Sequence, residues 1–155
     1  MITSSRGIEF IKEREGFKSL PYRDDAGWLS IGYGHRMGDY DDDLAKEEPL
    51  PEELAEAVLR EDLQTAELTV NRFVANHVKI NQNQFDALVS LVFNIGMGNF
   101  LKSTVLSRLL ENDFPGASLA FGLWDKVKDP QTGHLQSSKG LRSRRAAERR
   151  LFDEP

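Results

Sequence analysis

Apolar residues recur every three or four positions over most of the chain, the spacing typical of amphipathic helices. Ile8 and Ile11 fall on one face of a first helix. Ser4 or Ser5 can cap its N-terminus, and Gly16 is suited to end it. The pattern therefore predicts a first helix that stops immediately before Gly16.

A longer helical series begins at Pro51, a residue type that suits the first turn of a helix. Its apolar positions predict a connecting helix over about 51–77. Asn81 or Asn83 can cap the next helix. Apolar spacing predicts that this next helix is a central core helix and that it ends at Gly96.

The pattern changes between these two helical series. Residues 28–33 are rich in strand formers, and Asp25, Ala26 and Gly27 offer turn chemistry. A small hairpin or a three-stranded sheet is therefore predicted over about 19–39.

Shorter elements follow the core helix. Helices are predicted over 104–111, 116–124 and 141–152, and residues 128–140 are predicted to form a mobile loop. The fold class is therefore α+β and mostly helical, as a single domain over 1–155.

The predicted domain has two lobes. A small β-containing lobe covers about 16–50, and a larger helical lobe covers about 78–155 together with the first helix. The connecting helix over about 51–77 joins them.

The composition limits the classes of protein to which this chain can belong. A length of 155 residues and an apolar fraction of 39% suit one globular domain with its own hydrophobic core. No apolar run approaches the ~18–20 residues that span a bilayer. Because charged side chains recur between residues 6 and 15, we expect no apolar segment of a signal peptide there. Cysteine is absent, so no disulfide framework is expected.

Charge is unevenly distributed along a chain whose net charge is -5. Residues 39–62 carry eleven acidic side chains, whereas residues 126–155 carry eight Lys or Arg against four acids. Two interpretations stay open, namely solvated helix faces or a basic C-terminal region that faces an anionic polymer. The arginines of 142–150 lack interleaved aromatic residues, so no nucleic-acid partner is predicted. The three histidines fit no metal-binding spacing, and neither a metal nor a cofactor is predicted.

Three polar residues cluster where the first helix meets the predicted hairpin: Glu15, Asp24 and Ser30. At the C-terminal end of a helix, the dipole and the free carbonyl groups disfavour an ionised carboxyl such as that of Glu15. If the predicted turn closes the hairpin, Ser30 pairs with Tyr22, and Asp24 lies diagonally on the same face at about 7–8 Å. A water fits between a carboxylate and a hydroxyl so placed.

These groups are an acid, a base and a water-positioning hydroxyl, which is what hydrolysis of a glycosidic bond with inversion requires. Two acids and a serine at this spacing also occur as an exposed helix end, a turn residue and a strand residue. Spacing alone therefore leaves both interpretations open.

Residues 15–24 and 27–35 resemble the catalytic signature of the phage-type lysozymes, glycoside hydrolase family 24. That pattern is Glu, eight residues, Asp, five residues, Thr, and then a Gly-x-Gly-His element. Both spacings are present in this chain. Residues 84–96 and 140–149 resemble the family as well, so the likeness extends in order over nearly the whole chain.

The resemblance implies a role for each of the three residues. Glu15 is implied as the general acid that protonates the leaving oxygen, and Asp24 as the base that activates water. Ser30 stands where the family has a threonine that helps to hold this water. Serine keeps the hydroxyl but lacks the methyl that restrains χ1, so we expect reduced or equal activity. The substitution also leaves a degenerate enzyme open.

The Gly-x-Gly-His element contains two further candidates. His35 is expected to form a buried ion pair with Asp62 rather than to act as a base. Tyr33 is expected either to stack on a sugar or to pack within the small lobe.

The predicted helical lobe contains two more candidate site residues. Asn94, at the end of the core helix, is expected either to line the substrate cleft, as the resemblance suggests, or to cap the helix. The resemblance also suggests that the last helix returns to the active-site side, where Arg145 is the candidate partner of Glu15.

The family implies an N-acetylmuramidase that cleaves the β-1,4 bond between N-acetylmuramic acid and N-acetylglucosamine in bacterial peptidoglycan, with inversion. A catalytically weak peptidoglycan-binding domain is the alternative, supported by Ser30 and by the acidity of the chain. A lytic transglycosylase is a third interpretation, and Asp24 argues against it because that chemistry needs no water-activating base.

The expected partner is peptidoglycan. We expect a monomer with no stable membrane insertion. As a phage endolysin it would accumulate in the host bacterial cytoplasm until a separate membrane protein, a holin, releases it.

Overall fold

The computed structural model describes residues 1–24, 27–38 and 48–155. The fold is α+β and mostly helical, as predicted. Within the described residues the elements are, in chain order, α1 (Ser5–Glu15), β1 (Lys18–Arg23), β2 (Leu29–Gly32), β3 (His35–Arg36), α2 (Glu52–Asp62), α3 (Gln64–Val70), α4 (Gln82–Ile95), α5 (Met97–Phe100), α6 (Thr104–Leu110), α7 (Phe114–Phe121), β4 (Lys126–Lys128), β5 (Leu135–Ser137) and α8 (Lys139–Asp153). None of the helices described here is long and apolar enough to cross a membrane.

The ends of α1 are set by local hydrogen bonds. Ser4 is the N-cap, because its hydroxyl oxygen accepts the Gly7 N–H at 3.0 Å. The Ser4 N–H itself donates to the buried Asp86 carboxylate at 3.0 Å. Gly16 ends the helix with a φ of 71°, a conformation that favours glycine. Both predicted ends of the first helix are confirmed.

The strands β1, β2 and β3 form an antiparallel three-stranded sheet in that order. Tyr22 lies opposite Ser30, which confirms the predicted register. The predicted turn residues Asp25 and Ala26 lie outside the described residues. On either side of them, the Asp24 N–H donates to the Trp28 carbonyl at 2.9 Å, which closes the end of the hairpin.

The sheet packs on α2. Gly32 has a φ of 64°, and a Cβ atom placed there would lie 3.2 Å from Cβ of Ala55. Ile31 of β2 and Leu59 of α2 are both buried. Glycine is therefore required at position 32 both by its backbone conformation and by the close approach of α2.

The continuous helix predicted over about 51–77 is wrong in detail. Pro51 is the N-cap rather than the first helical residue. A turn at Leu63 separates α2 from α3, and a π-helical segment, Asn71–Ala75, follows α3. Apolar spacing predicts the helical path, but it does not distinguish the hydrogen-bond patterns that divide it.

The core helix is α4. Asn81 caps it in a capping box with Gln84, and Gly96 ends it with a φ of 82°, as predicted. Phe85 and Leu88 are fully buried, and α4 packs against α8. The predicted central helix is therefore confirmed.

The chain divides into two compact units, residues 8–64 and residues 1–7 with 65–155. The division groups most of α1 with the strands and α2, whereas the sequence grouped the first helix with the later helices. Within the unit of residues 8–64, Lys12 of α1 forms an ion pair with Glu56 of α2, at 3.0 Å. This pair joins residues far apart in sequence, so helical periodicity gives no sign of it.

The segment predicted as a mobile loop over 128–140 contains most of a hairpin. Strands β4 and β5 pair antiparallel, with Lys128 opposite Leu135. The Asp129 carboxylate accepts the N–H groups of Gln131 and Thr132 at 2.7 and 2.9 Å, and these bonds lower the pKa of Asp129. An aspartate whose side chain accepts N–H groups two and three residues on favours a turn, and Asp129 was the signal in the sequence that the loop prediction missed.

Candidate active site

Glu15 is the last residue of α1, and its carboxylate lies against the turn between β2 and β3. A Cβ atom at Gly34 would lie 3.5 Å from Oε2 of Glu15. Gly34 has a φ of 80°, so this turn depends on glycine both for its backbone and for its approach to the carboxylate. The helix end and the Gly-x-Gly turn are thus neighbours in the folded chain.

Asp24 follows β1 and is held from two sides. Its Oδ1 accepts the Trp28 N–H at 2.9 Å, and its Oδ2 lies 3.7 Å from Nε of Arg36. The Arg36 guanidinium also lies 5.5 Å from the centre of the Trp28 ring. Arg36 was missed from the sequence, although the hairpin register places it opposite Ser30 and therefore near Asp24.

Ser30 occupies the central strand of the sheet and is 1% exposed. Its neighbours across the sheet are Tyr22 and Arg36. Within the part of the chain that the structure describes, its hydroxyl oxygen has no hydrogen-bond partner. Because an unsatisfied buried hydroxyl destabilises a fold, such a group is a candidate for a functional role.

Tyr33 is buried, with 4% of its surface exposed. Its hydroxyl donates to Oε1 of Glu52 at 2.6 Å, and its ring lies 5.5 Å from the ring of Phe17. Of the two roles left open by the sequence, packing fits this environment. Stacking on a sugar would need an exposed ring face.

Lys12 lies beside Tyr33 and Glu52. Its Nζ is 3.6 Å from Oε1 of Glu52 and 5.5 Å from the centre of the Tyr33 ring. It also contacts Glu56 and Glu9, at 3.0 and 3.1 Å. The hydrogen bond from Tyr33 lowers the pKa of Glu52, and those from Lys12 and Arg60 lower the pKa of Glu56.

Stability should fall between about pH 10 and pH 12. Burial, aided by the hydrogen bond to Glu52, raises the pKa of Tyr33 from 10.0 to about 12. In this range the unfolded phenol loses its proton while the folded one keeps it, so stability decreases as pH rises. The pKa of Lys12 is also raised, mainly by Glu56, and this adds a loss of the same sign above its ordinary value of 10.5.

Thermal unfolding across this pH range checks the expectation. The decrease in Tm should be smaller in Tyr33→Phe than in wild type, because the variant has no phenol to titrate. Equal decreases in the two proteins would contradict it.

His35 and Asp62 are in contact, as predicted. Nδ1 of His35 lies 3.0 and 2.9 Å from the two carboxylate oxygens of Asp62. Both side chains are partly exposed, so the pair is less buried than expected. Asp62 is the last residue of α2, and the pair therefore anchors β3 to that helix.

The candidates in the other unit lie at a buried charge cluster. Nη2 of Arg145 donates to Oδ1 of the exposed Asn94 at 3.0 Å, while Nε of Arg145 lies 2.8 Å from Oε2 of Glu148. Ser90 donates to Oε1 of Glu148 at 2.7 Å, and Arg144 contacts the same oxygen at 3.2 Å. Asn94 therefore uses its carbonyl oxygen to hold Arg145, and Gly96 serves as the helix C-cap.

Glu148 is 0% exposed and was missed from the sequence. Its spacing of three and four residues from Arg145 and Arg144 was the available signal, since such residues are neighbours on a helix. Burial raises the pKa of Glu148, and the two guanidinium groups oppose this rise. The pairing of Arg145 with Glu15 stays a prediction.

No group of three or more potential metal ligands occurs among the described residues 1–24, 27–38 and 48–155.

Comparison with known proteins identifies the family. The family model for phage lysozyme matches residues 12–148, which is most of the chain. The chain belongs to the phage lysozyme family. It is a glycoside hydrolase of the lysozyme type, and the resemblance seen in its motifs is confirmed.

Three relatives illustrate the match. An endolysin of Acyrthosiphon pisum secondary endosymbiont phage 1 is 39% identical over 153 residues, covering 99% of each chain. The solved structure of an endolysin from Escherichia coli O157:H7 phage FAHEc1 superposes with a TM-score of 0.89 at 33% identity, covering 99% of this chain and 94% of that one. The muramidase domain of SpmX from Asticaccaulis excentricus gives a TM-score of 0.86 at 37% identity, covering 99% and 98%.

Proposed function

We propose that this lysozyme is an endolysin-type N-acetylmuramidase that hydrolyses the β-1,4 bond between N-acetylmuramic acid and N-acetylglucosamine in bacterial peptidoglycan. The observation that supports it is the arrangement around one small sheet of Glu15 at a helix end, Asp24 at a strand end and buried Ser30 in the central strand. Relatives named endolysin and muramidase support the substrate.

The proposed mechanism is a single displacement with inversion. Glu15 donates a proton to the glycosidic oxygen as the bond from this oxygen to the anomeric carbon breaks. Asp24 removes a proton from a water whose oxygen attacks the anomeric carbon from the opposite face. Ser30 holds this water through its hydroxyl. The products are one new reducing end and one free hydroxyl, and the enzyme is restored when Asp24 releases its proton to solvent and Glu15 takes one up, so that one water is added for each bond cleaved.

The contacts of Asp24 suit the role of a base. Its Oδ1 is engaged by the Trp28 N–H, so the hydrogen bond fixes the orientation of the carboxylate. Arg36 adds a positive charge near Oδ2, at 3.7 Å. Neither contact involves Ser30, so the hydroxyl remains available for a water.

Product analysis on purified peptidoglycan tests this proposal. Hydrolysis adds one water to each cleaved bond, which mass spectrometry detects, and inversion makes the α-anomer of the new reducing end the first product seen by proton NMR. An anhydro product would instead indicate a transglycosylase. Tight binding to peptidoglycan without any soluble product would indicate the alternative, a binding domain on a lysozyme fold.

Variants of Ser30 test whether its hydroxyl contributes to hydrolysis, as expected for an enzyme and not for a binding domain. Ser30→Ala should lower kcat about tenfold, the equivalent of one lost hydrogen bond of roughly 1.4 kcal/mol. Ser30→Thr keeps the hydroxyl and should stay within about threefold of wild type, since the added methyl only restrains χ1. Initial rates of turbidity loss in outer-membrane-permeabilised Gram-negative cells measure both. The water-holding role is refuted if alanine and threonine variants have the same activity as wild type.

The place of action and the assembly state are part of the proposal. We infer a monomer that collects in the host cytoplasm and reaches the wall once a holin opens the membrane. Expression in a bacterial host should leave the culture intact until the inner membrane is permeabilised. Lysis that starts without permeabilisation would show that the enzyme crosses the membrane by another route.

A further inference from the structure

Tyr33 contacts the chain on both sides of Glu15. Its ring lies 5.5 Å from Nζ of Lys12, one helical turn before Glu15, and 5.5 Å from the ring of Phe17, two residues after it. The next residue, Gly34, is the one whose added Cβ would lie 3.5 Å from Oε2 of Glu15. Tyr33 is therefore the neighbour in the chain of the residue that lies beside the Glu15 carboxylate, and its side chain contacts residues on both sides of Glu15.

Glu52 holds this arrangement from α2. Its Oε1 accepts the Tyr33 hydroxyl at 2.6 Å and lies 3.6 Å from Nζ of Lys12. One carboxylate oxygen thus connects the last turn of α1, the turn after β2 and the first turn of α2. Lys12 is largely buried, with 13% of its side chain exposed.

The turn is also held at its other end. The pair of His35 with Asp62 joins β3 to the last residue of α2, whereas Glu52 is the first residue of that helix. The turn from Gly32 to His35 is therefore fastened to both ends of α2. Of the two fastenings, the one through Tyr33 also reaches α1, which carries Glu15.

From these contacts we propose that Tyr33, through Glu52 and Lys12, is a positioning residue for Glu15. It holds the turn at Gly34 and the last turn of α1 at a set distance, so that the Glu15 carboxyl keeps the orientation needed to protonate the leaving oxygen. The inference rests on the proposed role of Glu15 as the general acid. It assigns no contact with substrate to Tyr33 itself.

Removing only the hydroxyl tests the proposal. Tyr33→Phe should lower kcat about tenfold and leave KM within about twofold, because misplacement of a catalytic group affects the chemical step more than binding. Glu52→Ala should lower kcat to the same extent. Glu52→Gln keeps an oxygen for the Tyr33 hydroxyl and should recover most of the loss. The double variant Tyr33→Phe/Glu52→Ala should be no worse than either single variant, as expected for residues that act as one unit.

Two controls separate positioning from stability. Glu9→Gln removes another partner of Lys12 that does not touch Tyr33, and its kcat should equal that of wild type. Val105→Ala removes buried volume in α6, so it lowers Tm without changing the sheet, and it too should keep the wild-type kcat below its Tm.

Several outcomes overturn the inference. These are a wild-type kcat in Tyr33→Phe, equal changes in kcat and KM, additive losses in the double variant, or an equal loss of kcat in Val105→Ala. If instead Glu15→Gln remains active, the proposed general acid is wrong and not merely its positioning. The same assay with Glu15→Gln therefore distinguishes the two failures.

Discussion

Glu15→Gln should lower kcat for peptidoglycan hydrolysis by about a thousandfold, within the range that a positioned general acid contributes. Glutamine has nearly the same shape but carries no proton that it can donate to the leaving oxygen. The change also removes the charge of the carboxylate, which relieves an unfavourable interaction with the helix end but gives up whatever its partners contribute to stability. Turbidity assays for activity and calorimetry for Tm measure the two effects separately.

Glu13→Gln is the matched control for this variant. Glu13 lies on the same helix and is 72% exposed, paired with Arg14 at 2.9 Å. Its replacement should leave kcat unchanged. If Glu15→Gln kept a tenth or more of the wild-type rate, the proton would have to come from another group and the proposed mechanism would be wrong.

Glu148→Gln should destabilise the protein by roughly 3–5 kcal/mol, because it removes the buried negative charge that the Arg144 and Arg145 guanidinium groups both contact. Arg145 is 1% exposed and Arg144 is 9% exposed, so neither charge is well solvated. For a chain of this length the change corresponds to a decrease in Tm of about 6–20 °C. Calorimetry near neutral pH checks it.

An exposed pair of the same spacing provides the control. Arg108 of α6 and Glu111, the C-cap of that helix, are also three residues apart, at 3.4 Å, but their side chains are 48% and 64% exposed. Glu111→Gln should change stability by less than about 0.5 kcal/mol. Similar losses in the two variants would mean that burial of the Glu148 cluster contributes little, contrary to this expectation.

The ends of the helices were predictable because the hydrogen bonds that form there are local. The N-cap at Asn81 bonds to Gln84, three residues away, and Gly16 and Gly96 end their helices with a positive φ. These features depend on residues within one turn of one another. A sequence that contains such a capping residue or helix-ending glycine therefore specifies the helix end without any contact from a distant part of the chain.

The register of the hairpin was predictable for a similar reason. A short turn determines which residues lie opposite each other, so the position of the turn is enough to predict that Tyr22 pairs with Ser30. The pairing of His35 with Asp62 is longer in range. It was predicted because the family resemblance implies a structural role for the histidine after the Gly-x-Gly turn, with a carboxylate of the connecting helix as its partner.

The contacts that surround Glu15 were not predictable in the same way. Tyr33 and Glu52 are separated by nineteen residues, and Lys12 and Glu56 by forty-four. Nothing in the local pattern of α1 or α2 distinguishes these charged residues from others on the same exposed faces. Their role depends on how α1, the sheet and α2 pack.

The burial of Glu148 likewise depends on packing between helices that are distant in the chain. The arginine-rich sequence of α8 suggests a solvated helix, but α8 packs on α4 and encloses one carboxylate with Arg144 and Arg145. The sequence by itself determined the helix ends, the hairpin register and the family, because local hydrogen bonds and motif spacing encode them. Only the tertiary structure decided which charges are buried and which side chains hold Glu15, because these depend on packing between elements distant in the chain.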